Sequence, residues 1–145
     1  MAFKFRLAKV LGWYEEQCKS EENRLREISA SLDALVQKIV HLVSERARVE
    51  AEMIHNPSLS PSDLAALASF QDHSRKQEAH LEMEAAKTKS ALEDQRKVVQ
   101  AARRRVRLLE KLRERRLSEY SYGLDRELEQ MAADAFQSVS FSKQS

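Results

Sequence analysis

Glycine and proline are nearly missing from this chain, with two of each among 145 residues. So little punctuation leaves few places where a helix must stop, and together with a charged fraction of 33% it implies long helices. Cysteine occurs once, at Cys18, which excludes an internal disulfide framework and fits a reducing compartment. No run of about eighteen apolar residues is available to span a membrane, and the N-terminus lacks the long apolar core of a secretory signal. A soluble cytoplasmic protein is expected, with export by a signal-independent route left open. Charge of one sign is lacking in bulk as well: 25 Lys and Arg stand against 23 Asp and Glu, so composition alone does not point to nucleic acid. Glycine-rich phosphate loops are absent, which excludes nucleotide binding by that route.

What the chain does contain is a heptad repeat. Leu11, Tyr14, Cys18, Glu21, Leu25, Ile28, Leu32, Leu35, Ile39, Leu42, Arg46, Val49 and Met53 follow at alternating spacings of three and four. An average spacing of 3.5 keeps an apolar stripe on one side of a long helix, and such a stripe is stable in water only when another helix covers it. The strong interruption is His55 to Asp63, where Pro57 pushes Asn56 out of helical geometry. Ser60 suits an N-cap, Pro61 a first helical position, and Asp63 can reach back to the Ser60 amide as a capping box. So short a connection predicts an all-α fold: a two-helix antiparallel coiled coil with helices over 4–55 and 61–137, a turn at 56–60, and a longer second helix. Residues 1–137 then form a single hairpin, and the polar residues 138–145 are expected to be a disordered tail.

The second helix has its own, less apolar seam through Leu81, Ala85, Thr88, Leu92, Gln95, Val99, Ala102, Val106 and Leu109. Folding back near position 59 sets residues level when their numbers sum to about 118, so that Leu25 lies near level with Glu93 and Leu11 near level with Arg107. At 1.5 Å per residue the helices would be roughly 78 and 115 Å long, a mismatch that leaves residues from about 115 to 137 without an intramolecular cover. Leu117, Tyr120, Leu124, Leu128 and Met131 nevertheless continue an apolar stripe there, which implies another molecule, unless the tail frays or a dimer covers it; Gly123 favours the latter pair of readings.

A dense basic block, Arg96, Lys97, Arg103, Arg104, Arg105, Arg107, Lys111, Arg113, Arg115 and Arg116, falls near the open end of the hairpin. Lys4, Arg6 and Lys9 belong to the same end and reinforce it. Its counterparts are an acidic protein surface, phosphates or anionic lipid; the bland reading is a solvated face. Nucleic acid fits less well, because no aromatic stands between Arg96 and Arg116 to stack on bases, and a basic zipper would need a parallel dimer. The opening run, with cations among Phe3, Phe5, Leu7, Val10, Leu11 and Trp13, reads either as an interfacial membrane helix or as a cap on the hairpin that contacts a protein.

Catalysis is not expected. A two-helix rod offers no concave, water-excluding pocket, and His41, His55, His73 and His80 lack the companions of a helical metal site. Cys18 sits on the seam and reads as a small buried hydrophobe. Neither a cofactor nor a metal is called for.

The opening Phe3-Lys-Phe-Arg-Leu7 with Val10-Leu11, the charged hairpin, and the closing Leu109-Glu-Lys-Leu-Arg-Glu-Arg-Arg-Leu-Ser-Glu-Tyr120 resemble the bacterial flagellar export protein family FliJ over nearly the whole chain. The resemblance implies a rod similar to the paired terminal helices of the gamma subunit in rotary ATP synthases. It implies that the rod sits in the pore of the hexameric export ATPase FliI, promotes ring assembly, links the ring to the export gate protein FlhA, and interacts with export chaperones. Peripheral association with the inner membrane at the flagellar base follows through that apparatus, and no nucleic acid partner. Carried onto this sequence, the ring contacts would be Phe3, Phe5, Leu7, Arg113, Arg116, Leu117 and Tyr120. The family's gate-binding patch early in the second helix matches Leu67 to Leu81, and Phe70 is the position carried over, although Ser74 and Gln77 are more polar than the pattern. A membrane-surface or nucleic-acid-binding scaffold is the alternative.

Overall fold

The computed structural model describes residues 2–144, with the side chains of 143 and 144 left aside. Met1 and Ser145, the outer ends of the expected hairpin and tail, lie outside the described residues. Two helices make up the fold: α1, Ala8–Ile54, and α2, Pro61–Gln144, 47 and 84 residues long. They pack against each other as an antiparallel hairpin with no strand among the described residues. The chain divides into two compact units, one formed by Lys19–Gln100 and one by Met1–Cys18 together with Ala101–Ser145.

The first of these, the turn unit, is closed by local hydrogen bonds that replace the helical ladder. Asn56 Oδ1 accepts from the Ser58 amide at 3.1 Å and from its hydroxyl at 3.0 Å. At the start of α2 the Asp63 amide donates to Ser60 Oγ at 3.2 Å, while Asp63 Oδ2 accepts from the Ser60 amide at 3.1 Å. This reciprocal capping box satisfies two N–H groups that a helix start otherwise leaves without a partner. The Ser60 amide and then its hydroxyl hold the Asp63 carboxyl below the usual carboxylate range.

Along α1 every heptad position from Leu11 to Met53 is buried or half-buried, and along α2 the covered positions run through Leu81, Leu92, Val99, Ala102, Val106 and Leu109 as the spacing predicts. Most stay half-buried because a single opposing helix covers a seam from one side only. The α2 seam also extends back through Glu78, Ser74, Gln71 and Leu67, keeping the alternation of three and four. Those polar positions are used. Arg46 Nη1 donates to Glu78 Oε2 at 2.6 Å and to Ser74 Oγ at 3.4 Å, and Gln71 Nε2 donates to Glu50 Oε1 at 3.0 Å. Further along, Gln95, 6% exposed, donates from Nε2 to the Glu21 carbonyl at 3.0 Å and to its carboxylate at 2.5 Å. In each of these pairs the residue numbers sum to about 120, close to the register that the position of the turn sets.

Two boundaries differ from the sequence reading. The first helix begins at Ala8 rather than at residue 4, because Phe3, Phe5 and Leu7 are covered while Ala2, Lys4 and Arg6 are exposed. A period of two is not that of a helix. The second helix runs to Gln144 through the stretch 138–144 expected to be disordered, since no proline or glycine follows Gly123 to end it.

Removing Arg46 strands a carboxylate that is only 23% exposed, so Arg46→Ala should cost about 1 to 3 kcal/mol in urea denaturation, and the double replacement Arg46→Met with Glu78→Leu should recover most of it. Equal losses in the single and double variants would show that the pair does not act as a unit. Because the folded Asp63 carboxyl titrates below its unfolded value, its stabilising effect is complete above about pH 4 and fades as pH falls through the lowered value. Asp63→Ala should therefore lower the thermal midpoint at pH 7, with the deficit shrinking toward zero in more acidic buffer.

Candidate functional site

The terminal unit brings together the start of α1, the segment before it, and α2 from Ala101 onward. Residues 2–7 form a non-helical strap, with Arg6 and Leu7 in a turn, in which Phe3, Phe5 and Leu7 are half-buried while Lys4 and Arg6 are exposed. The Ala8 amide donates to the Phe5 carbonyl at 3.1 Å and the Leu11 amide to the Leu7 carbonyl at 2.8 Å, which converts the strap into the first turn of α1. An interfacial helix cannot be drawn on residues 2–7, since there is no helix there.

The strap is anchored by aromatic contact. The Phe3 ring lies 5.6 Å from the Tyr120 ring at an interplanar angle of 47°, within the range of favourable tilted pairs. Behind it Phe3, Phe5, Ala8, Leu11, Gly12, Glu15 and Arg113 line a groove of about 350 Å³. Its floor is apolar, with Leu11 5% exposed, and its rim carries one carboxylate and one guanidinium. Nothing lies within 4 Å of where a Cβ on Gly12 would stand, so no internal packing demands glycine there. The missing side chain leaves the groove open instead.

Around this groove the charge is mostly of one sign. Lys4, Arg6 and Lys9 on one side and Arg103, Arg104, Arg105, Arg107, Lys111, Arg113, Arg115 and Arg116 on the other belong to this unit. Arg115 Nε lies 3.4 Å from Glu119 Oε1, but both side chains are largely exposed and such a pair contributes little. The remaining field suits an acidic surface.

Of the positions singled out in the sequence, the structure joins Phe3, Phe5, Arg113 and Tyr120 directly. Leu7 is half-buried in the strap, and Arg116 and Leu117 are exposed on α2, Leu117 at 46%. Phe70 is not among them: it belongs to the turn unit, beside the seam position Gln71, and is 37% exposed. The sequence reading missed Gly12 and Glu15 as groove residues, and the signal that could have found them is the period-two strap preceding a helix that opens with Gly12 one turn in. It also set the uncovered part of α2 from about 115. Exposure is unbroken only from Ser121 to Ser142, because the non-helical strap before α1 brings the Phe3 ring against Tyr120.

Among the described residues no three His, Cys, Asp or Glu side chains stand together as a metal site, and no helix is long and apolar enough to cross a membrane. The chain matches the family model described as Flagellar FliJ protein over residues 3–145. No curated protein and no solved structure matches it.

Tyr120→Ala removes the ring that holds the strap, a contact worth about 1 kcal/mol beyond its area. Trypsin cleavage after Lys4 and Arg6, followed by mass spectrometry, should accelerate about fivefold in that variant; an unchanged rate would mean that other contacts hold the strap.

Proposed function

The chain belongs to the FliJ family of flagellar proteins and has a flagellar export-related role, and from that premise we propose that it is the coiled-coil stalk of the export machinery, entering the hexameric export ATPase FliI by its terminal unit. On this reading it promotes assembly and activity of the ring, links the ring to the export gate protein FlhA, and engages export chaperones. It acts in the cytoplasm at the inner-membrane base of the flagellum, as a structural and regulatory component without catalysis of its own.

The observation that carries this reading is the coincidence in the terminal unit of the cationic collar, the open strap groove and the exposed Leu117. Cations such as Arg113 and Arg116 speed encounter with an acidic pore lining, and apolar surface from Phe3, Phe5, Leu7, Leu117 and Tyr120 holds the complex once water is expelled. A two-helix cross-section suits a hexamer's pore, and its lack of sixfold symmetry makes its contacts with successive subunits unequal. Phe70, an aromatic left partly exposed on the turn unit, is the proposed contact with the export gate.

Titrating the chain into the purified export ATPase should raise its hydrolysis rate, and Arg113→Glu with Arg116→Glu should weaken that effect by about tenfold, more at low than at high salt. Truncation after residue 112 should abolish it. Full stimulation by the truncated chain would remove the residues after 112 from the ring contact. Phe70→Ala tests the other contact, with an expected loss of about tenfold in affinity for the gate protein.

A further inference from the structure

The chemistry of α2 changes sign at Tyr120. Residues 101–120 are strongly basic, whereas from Ser121 to Ser142 Arg126 is the sole cation against Asp125, Glu127, Glu129 and Asp134. All residues of that second stretch are exposed. Apolar side chains recur along it: Leu124 is 43% exposed, Leu128 58% and Met131 67%, continuing from Leu117 at 46% and followed by Ala135. At about 100° per residue these five positions fall within an arc of roughly 60°, one narrow stripe of a heptad pattern.

The flanks of the stripe decide what can cover it. Asp125 borders one side, and Glu127 and Asp134 border the other. Arg126 projects away from the stripe, its guanidinium 5.8 Å from the centre of the Tyr122 ring. In a helix pair the flanking positions set partner choice and orientation through opposite charges. Over the stretch from Leu124 to Ala135, two copies would find no oppositely charged flank in either orientation, so self-pairing gains nothing there.

We propose that the face of α2 from Leu124 to Ala135 docks a basic amphipathic helix of a partner protein, one with apolar residues at alternating spacings of three and four and Lys or Arg along both flanks. This surface is chemically the opposite of the collar beside it. It gives the terminal unit two partners of opposite charge preference, and it does not rest on the ring reading.

The test uses the full chain and two fluorescent synthetic helices of about four heptads, with Leu on the seam and either Lys or Glu on the flanks, read by anisotropy. The Lys-flanked peptide should bind at least about tenfold tighter. Asp125→Lys, Glu127→Lys and Asp134→Lys together should invert that preference. Leu124→Glu with Leu128→Glu should abolish binding even though it adds negative charge; attraction by charge alone would instead grow stronger. Undiminished binding in that variant overturns the proposal, as does an unaltered preference after the triple reversal. Sedimentation of the chain alone covers the remaining outcome: a dimer dissolved by Leu124→Glu with Leu128→Glu would assign the stripe to a second copy. Circular dichroism confirms that each variant keeps its helix content, and no readout involves ATP hydrolysis.

Discussion

A helix with apolar residues at an average spacing of 3.5 has one side that water cannot satisfy, and here the break at Asn56 and Pro57 leaves that side one partner within reach, the other helix. Mutual covering of the two seams is the constraint from which the remaining features follow. It makes the helices antiparallel, it places Leu11, Leu92, Val99 and Ala102 in the narrow core, and it leaves nearly everything else in contact with solvent. With so little buried area, a polar residue admitted to the seam must find a partner there. Gln95 finds it on Glu21, and Ser74 and Glu78 find it on Arg46. Such layers disfavour a slide by one heptad, because each would then face an apolar side chain.

The surplus of α2 over α1 turns packing into recognition. In the turn unit each helix has the other as cover, and polar layers fix the alignment. In the terminal unit α1 begins only at Ala8, the strap before it covers the second helix as far as Tyr120, and from Ser121 to Ser142 that helix is exposed throughout. Gly12 and Gly123 both lie inside helices with nothing within 4 Å of a Cβ, and each borders a surface hollow. Helical glycine disfavours the helix by about 1 kcal/mol relative to alanine. Nothing in the packing within the chain offsets that, whereas close approach of a partner would.

Much of this was legible in the residues. The positions Leu11 to Met53 and Leu81 to Leu109 were readable because heptad spacing is a local property, and the capping box at Ser60 and Asp63 because it spans three residues. The start of the α2 seam was harder to see: Glu78, Ser74 and Gln71 occupy seam positions without apolar side chains, and only the opposing Arg46 and Glu50 explain them. The strap misled for a different reason. Five residues of alternating polarity carry too little signal beside a helical run of 47, so the helix was extended over them. Of the proposed ring contacts, Phe3, Phe5, Arg113 and Tyr120 proved to be neighbours, while Gly12 and Glu15 joined them unforeseen.

By itself the sequence determined that two long helices are joined at a turn, the direction of the fold and its approximate register, because helix periodicity, caps and a proline-marked turn act over a few residues and a short connection allows one arrangement of two long helices. Tertiary structure alone decided where the strap lies, which polar seam residues are paired, and where along α2 the cover ends. Those outcomes depend on contacts between side chains far apart in number, such as Phe3 with Tyr120 and Glu21 with Gln95, and distance along the chain carries no record of them.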